Sequence, residues 1–242
     1  MEQMIEVIQE DNDLIVCRKP AGIPVQTAKF GQVDMVSSLK NYRAGKKEVP
    51  EIYVVHRLDQ PVEGVMVFAK TQKAAASLSK QIQQNSVDKY YYAVVEGILE
   101  PSQGVLENYL LRDGKNNISK VVKAGIQGAK KAVLRYKVLK EMPMEMQHNV
   151  KPDAREGKQQ ENPIQSSRSL IEIQLETGRH HQIRVQMAYA GHALVGDKKY
   201  NPDCQSGYMP IGLCSVRLAF RHPVTNKRLE FFIEPKGEPF FS

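Results

Sequence analysis

The sequence predicts an α+β protein built on a mixed, largely antiparallel β-sheet with peripheral helices. Two observations predict it. Strand-like runs outnumber helical ones, and the two kinds do not alternate in the regular β-α-β order that a doubly wound parallel sheet requires. Several of the runs also place apolar side chains at every second position, the period of a strand with two unlike faces. A chain of 242 residues can fill one large core or two small ones. Residues 1–242 are expected to form a single domain.

In order along the chain, DLIVCRKP (13–20) is a short apolar run stopped by Pro20 and Gly22, and so reads as a strand entering a turn. EIYVV (51–55) and VMVFAK (65–70) are two more β-rich runs. TQKAAASLSKQIQQ (71–84) is rich in helix formers and repeats Ala75, Leu78 and Ile82 at helical spacing. YYYAVVEG (90–97), AVLRYKVLK (132–140) and SLIEIQLE (169–176) return to strand composition. In HHQIRVQMAYAG (180–191), Ile183, Met187 and Ala190 form one helical stripe, with Gly191 as a stop. CSVRLAF and RLEFFIEP supply the last strands. Residues 141–168 carry Gln, Glu, Pro and Lys with few large apolar side chains. Strand-like runs flank them, so a long, mobile hairpin loop is expected there.

The formal net charge of +7 favours capture of a polyanion, with nucleic acid the natural candidate. Three cysteines without C-x-x-C spacing argue against a disulfide framework and for a reducing compartment. The acidic start MEQMIEVIQE does not resemble a signal peptide, and no apolar run has the length of a bilayer span. A cytoplasmic, soluble protein without a membrane partner is expected.

Three segments could carry chemistry. His56-Arg57-Leu58-Asp59 follows EIYVV, and in extended backbone Arg57 and Asp59 share a face. A guanidinium beside the carboxylate would keep it ionised for use as a nucleophile or base; the bland alternative is a turn pinned by an Arg–Asp pair. The string also resembles a protein-kinase catalytic loop, but its spacing differs and no Gly-rich phosphate loop precedes it. The second segment, Thr177-Gly178-Arg179-His180-His181-Gln182-Ile183-Arg184, joins a strand to a helix whose free N–H groups suit an anion. His180, His181 and Arg184 lie one turn apart and can face one way. An anion-facing Arg184 would carry little of the core, so its loss is expected to spare the fold. The third is Lys89-Tyr90-Tyr91-Tyr92, where alternation turns Tyr91 away from Tyr90 and Tyr92. A metal site on His180, His181 and His192 is not expected, because adjacent histidines on a helix diverge.

Together these segments resemble the RluA-type pseudouridine synthases, in the family's order, from about Asp11 to about Pro235. Lys19-Pro-Ala-Gly-Ile-Pro-Val25 is similar to the opening K-P-x-G-x-x-V, and His56-Arg57-Leu58-Asp59 to the catalytic H-R-L-D. Lys89-x-Tyr91-x-Ala93 with Gly97 matches K-x-Y-x-A-x-x-x-G, and Thr177–Arg184 matches T-G-R-x-H-Q-I-R. Gly191-His192 followed by Gly196-Asp197 and Tyr200 matches G-H-x-x-x-G-D-x-x-Y.

The resemblance implies the pseudouridine synthase catalytic fold and a cofactor-independent isomerisation of a flipped-out uridine in tRNA or rRNA. It makes Asp59 the nucleophile, with Tyr91 stacking on the uracil and able to assist proton transfer, and Arg184 ion-paired to Asp59. Arg57 would hold the RNA open, and His56, Arg179, His181 and Lys89 would contact it. Lys115, Lys120, Lys123, Lys130, Lys131, Lys198 and Lys199 would add phosphate contacts. Only about ten residues precede the first matching segment, so the family's extra N-terminal RNA-binding module is not expected, and a monomer suffices.

Two departures stand out. The family continues H-R-L-D with T-S-G, where this chain has Val62-Glu63-Gly64, and has His-Ala where this chain has Cys214-Ser215. Glu63 adds a negative charge near an acid and an RNA backbone, a repulsion of ~1 kcal/mol at about 4 Å in water. The alternative is therefore a weak or inactive RNA-binding protein on the same scaffold.

Overall fold

A computed structural model describes residues 5–142, 167–202, 204 and 209–241. The first hairpin pairs β1 (Glu6–Glu10) with β2 (Leu14–Lys19). Its turn is set by Asp11, whose Oδ1 accepts the amide protons of Asp13 at 2.8 Å and Leu14 at 2.9 Å. Helix α1 (Met35–Gly45) was not foreseen. Its start is signalled by Asp34, whose carboxylate takes the Ser37 amide proton at 2.7 Å while Ser37 Oγ faces the Asp34 amide.

The run EIYVV yields only the two-residue β3 (Tyr53–Val54), after which the chain leaves the sheet and returns as β4 (Glu63–Ala69). Helix α2 (Gln72–Gln83) is capped by Thr71 and buries Ala74 and Leu78. Next come β5 (Asp88–Glu96), β6 (Gln103–Asp113), β7 (Ile118–Val122) and β8 (Lys130–Met142). The chain finishes with β9 (Arg168–Leu175), α3 (Gln182–Tyr189), β10 (Leu213–Arg221) and β11 (Arg228–Phe232). Most of the loop expected at 141–168 lies outside the described residues, but the strands on either side pair antiparallel, from Leu134↔Leu175 to Met142↔Arg168.

The strands form one 11-stranded sheet in the order β1-β2-β4-β10-β5-β9-β8-β6-β7, with β3 added to β4 and β11 to β10. Every pairing among them is antiparallel except a short parallel bridge, Cys214↔Glu63 and Ser215↔Gly64. There β4 and β10 touch at their first residues and then part. Beyond the contact β4 pairs with β3 at Phe68 and Ala69, while β10 pairs with β11 from Arg217 onward. The segment 55–62 that joins β3 to β4 is therefore delivered to the mouth of this split.

Alternation sorts the core onto two faces. Ile15, Cys17, Met66, Phe68 and Tyr91 join α1 and α3 on one side. Leu14, Val16, Val65, Val67, Tyr90 and Tyr92 face α2 and β11 on the other. Because both faces are covered, β2 is buried along its whole length, and its first four residues, Leu14 to Cys17, read as an apolar run. The stripe predicted on α3 is real at Ile183 and Met187, but Ala190 is exposed and Gln182 through Met187 are buried all round. The amide nitrogens of the polar members are engaged: Gln182 Nε2 donates to Val133 O at 3.0 Å, and Gln186 Nε2 to Asn108 Oδ1 at 2.8 Å, while Gln186 Oε1 is buried without a partner.

At the parallel bridge, a Cβ on Gly64 would lie 2.4 Å from Ser215 Cβ and 2.7 Å from its amide nitrogen. Gly64→Ala is accordingly expected to lower stability by about 1–3 kcal/mol, as overpacking does. The urea midpoint checks this; an unchanged midpoint would show that the two strands can part without cost.

Candidate active site

The split in the sheet opens into a cleft with two lobes, of about 600 and 530 Å³, a size suited to a nucleotide-scale ligand. Arg57, Leu58, Asp59, Arg112, His180, His181 and Arg184 line both lobes, so Asp59 stands where they meet. Lys198 and Lys199 line the larger lobe; Tyr91, His56, Lys89 and Arg179 line the smaller. Among the described residues lining either lobe, Asp59 is the only carboxylate.

The backbone around Asp59 is tightly held. Its carbonyl accepts the Val62 amide proton at 3.0 Å, closing a turn. The next carbonyl, of Gln60, accepts from the Gly22 amide at 2.9 Å and from Lys19 Nζ at 3.0 Å. The Lys19 side chain is wholly buried; burial pushes its ammonium down to about 8, against the pull of Asp59 and Glu63. The Asp59 side chain is 28% exposed, and its Oδ2 accepts from Arg184 Nη1 at 3.2 Å. Leu58 is buried between Arg57 and Asp59, so the expected alternation holds. The partner that the residues alone suggested is displaced, however: Arg184, and not the exposed Arg57, forms the ion pair with Asp59.

Arg184 projects from α3 and is itself clamped from behind. Its Nε and Nη2 donate to Asp197 Oδ2 at 2.8 Å and Oδ1 at 2.6 Å, a two-pronged contact with a fully buried carboxylate. Its guanidinium carbon lies 5.2 Å from the centroid of the Tyr200 ring. Only 3% of Arg184 is exposed, which corrects the expectation that it carries little of the core. Its removal would strand Asp197 as an unpaired buried charge.

Tyr91 sits on β5 opposite Ser215, which in turn lies beside Gly64. Its buried phenol borders the same lobe as Asp59. Burial holds that phenol well above its ordinary value, reinforced by the charge of Asp59 and opposed by a hydrogen bond with Ser215. It is therefore neutral near pH 7. Lys89 is nine-tenths buried; burial first, and the nearby Arg179 second, lower its ammonium. Arg179 is anchored by Nε donating to Lys131 O at 2.8 Å.

His56 lines the smaller lobe, but its Nε2 accepts the Val67 amide proton at 3.1 Å, so that atom pins β4. Burial and the charge of Lys89 push it down to about 4, which keeps the ring neutral. His181 is buried against Asp59, with Nε2 at 3.6 Å from Oδ2. His180 stacks on it at 3.8 Å between centroids and, like His181 and Arg184, borders the cleft. Sequence reasoning missed Arg112, on the unforeseen β6, and the backing roles of Asp197, Tyr200, Ser119 and Asn117. Only the G-D-x-x-Y match pointed towards the first two of these four.

Glu63, the departure that threatened to repel RNA, is turned away from the cleft. It forms an ion pair with Arg18, and its Oε2 accepts the Lys236 amide proton at 3.3 Å. The two departures meet in space, since Glu63 faces Cys214 and Gly64 faces Ser215 across the parallel bridge.

Among the described residues, the one group spaced to hold a metal ion is Asp11, Asp13 and His222, outside the cleft. Its atoms are already used: His222 Nε2 meets Asp11 Oδ2 at 2.9 Å, and Nδ1 accepts amide protons from Val224 and Thr225. No helix among the described residues is long and apolar enough to cross a membrane.

Comparison with known proteins agrees with this geometry. A family model described as RNA pseudouridylate synthase matches residues 13–189. The chain is 32% identical to the ribosomal large subunit pseudouridine synthase D of Zymomonas mobilis, a match covering 95% of this chain and 69% of that protein. It is 34% identical to the protein of the same name from Neisseria meningitidis, covering 94% of this chain and 57% of that one. In fold it resembles the human RNA pseudouridylate synthase domain containing 4, with a TM-score of 0.71 at 23% identity over 98% of this chain and 90% of that one. The human domain-containing 1 protein is similar, at 0.72 and 19% over 96% and 83%. Five motifs in order, a family match over most of the chain and a cleft with a single acid lead to one assignment: this chain belongs to the RluA-type RNA pseudouridylate synthase family.

Proposed function

We propose that the protein is an RNA pseudouridine synthase that isomerises uridine with Asp59 as nucleophile. The observation that carries this reading is the lone carboxylate of the cleft, ion-paired to Arg184 at 3.2 Å and bordering the lobe that holds Tyr91. Isomerisation breaks the bond from N1 of the base to C1′ and forms one from C5 to C1′. The C5 proton is released and N1 ends protonated, so neither oxidant nor cofactor is needed. Arg184 favours the ionised carboxylate that nucleophilic attack requires.

The uridine must leave the stack to reach Asp59, at a cost of a few kcal/mol that protein contacts offset. The smaller lobe offers the flipped base the face of Tyr91, a neutral phenol that can stack and donate but does not act as a phenolate base. Arg57, exposed where the lobes meet, is placed to occupy the gap left in the RNA. Lys89 and Arg179 line the smaller lobe, whose one acid among the described residues, Asp59, is paired with Arg184, and this suits a phosphate of the substrate backbone. Lys198 and Lys199 extend the cationic lining on the other side. The relatives' names favour large-subunit ribosomal RNA as substrate, with transfer RNA as the second class. The residues lining both lobes come from one chain, so a monomer suffices to form the cleft.

RNA carrying tritium at C5 of uridine tests the reaction. Wild-type protein is expected to release the label, and Asp59→Asn to slow release by at least about a thousandfold. A wild type that binds RNA but releases nothing would be an RNA-binding protein only, and an Asp59→Asn variant as fast as wild type would dismiss the nucleophile.

Lys89→Met should weaken RNA binding and make the slope of log affinity against log salt shallower by about 0.7–0.9, the signature of one lost phosphate contact. An unchanged slope removes Lys89 from the phosphate contacts.

Arg184→Ala should cost about 3–5 kcal/mol of stability, because it leaves Asp197 charged and buried with no counter-charge, held only by the Lys199 and Tyr200 amides. Thermal unfolding of the variant measures this; a melting point near that of wild type would show that Asp197 finds water or another partner.

A further inference from the structure

His181 occupies a position that the proposed reaction has not yet used. It precedes α3 in the left-handed region, at φ 54° and ψ 27°, which non-glycine residues seldom adopt and histidine tolerates better than most. It does not cap the helix with its side chain. That conformation instead aims the imidazole backward into the cleft wall, where the side chain is only 5% exposed.

Both ring nitrogens are committed. Nδ1 lies 2.8 Å from the Tyr200 hydroxyl, and that hydroxyl accepts the Ser119 backbone proton at 2.7 Å. Among the described residues Nδ1 is the one acceptor within reach of the hydroxyl proton, so the hydroxyl, already accepting from Ser119, gives that proton to Nδ1. The imidazole proton then resides on Nε2, the atom facing Asp59 Oδ2 at 3.6 Å. His180 stacked at 3.8 Å and the edge of Tyr200 at 5.6 Å keep the ring from turning.

We propose that His181 is a positioning residue for Asp59, its tautomer fixed by Tyr200 and Ser119 so that a neutral N–H is presented to the carboxylate oxygen already held by Arg184. The separation of 3.6 Å is longer than a hydrogen bond, and it closes when RNA fills the cleft and expels water. Both contacts fall on Oδ2, so Oδ1 is the oxygen left to bond carbon. The neutrality of the donor matters. Burial pushes His181 down to about 4, and the charges of Arg184, His180 and Lys199 act in the same direction against the pull of Asp59. A second full cation on Oδ2 would drain the nucleophile, whereas a neutral N–H orients it.

This inference rests on the pseudouridine synthase reading, and two variants separate their fates. His181→Gln keeps a donor near the position of Nε2; His181→Met has similar length and no donor. Neither is β-branched, so both bear comparable strain in the left-handed conformation. In tritium release, Gln is expected within about tenfold of the wild-type kcat and Met about a hundredfold below it, with KM for RNA unchanged in both.

Independently, 15N NMR of wild-type His181 should show the Nε2–H tautomer, and Tyr200→Phe should give a mixture while retaining the ring beneath Arg184. A wild type that releases no label ends the enzymatic reading and this one with it. An active wild type in which Met equals Gln, or in which His181 is found protonated on Nδ1, overturns the positioning role alone.

Discussion

A guanidinium buried between two carboxylates fixes the geometry on which everything else in the cleft depends. Removing Arg184 from water is costly, and Asp197 offsets that cost by accepting two parallel hydrogen bonds from the edge of the guanidinium. The remaining Nη1 then has one direction in which to point, towards Asp59. Three segments far apart in sequence are thereby brought into register: the turn after β3, the start of α3, and the loop that holds Asp197 and Tyr200. Such an arrangement need not add net stability over an apolar packing, but it admits few alternatives, and an active site requires that.

The sheet supplies the opening for this arrangement. Had β4 and β10 stayed paired along their length, residues 55–62 would have had to pass over the sheet surface. They touch instead at two residue pairs and diverge, and the segment carrying Arg57 and Asp59 fills the angle. The close approach at Gly64 and Ser215 is the vertex of that angle, and Tyr91 stands directly across Ser215. Asp59 and Tyr91 thus line one lobe because of one strand junction. The changes at Glu63 and Cys214 also lie at this vertex, with Glu63 neutralised by Arg18 on the far side.

Charge divides the cleft into functions. One carboxylate faces several cations, and two of these, Arg184 and Lys19, are tied to protein acceptors. Lys89, Arg57, Arg112 and Lys198 remain directed at the space where a polyanion would lie. The neutral histidines separate the two sets. His56 secures β4 through its acceptor nitrogen, while His181 stands between Tyr200 and Asp59.

Much of this was legible in the linear order of residues, because strand alternation and helix spacing are local. Apolar or β-rich runs located β2, β4, β5, β8, β9 and β10, and alternation separated Tyr91 from Tyr90 and Tyr92; helix formers with Ala75, Leu78 and Ile82 at helical spacing located α2. Motif order singled out Asp59, Tyr91 and Arg184 and, through the resemblance, the Asp59–Arg184 pair. The sequence was silent on β1, α1, β6 and β7, whose apolar content is diluted by charged and polar residues on solvent-facing sides. Local spacing alone pointed to Arg57 beside Asp59, whereas the family resemblance paired Asp59 with Arg184; the burial of Arg184 was not foreseen, since burial is not a local property. Only the tertiary structure decided which ring nitrogens of His56 and His181 are engaged, where Glu63 points, and that Arg184 is buried between Asp59 and Asp197. Those outcomes depend on what is packed behind a side chain, and only the closed sheet fixes that.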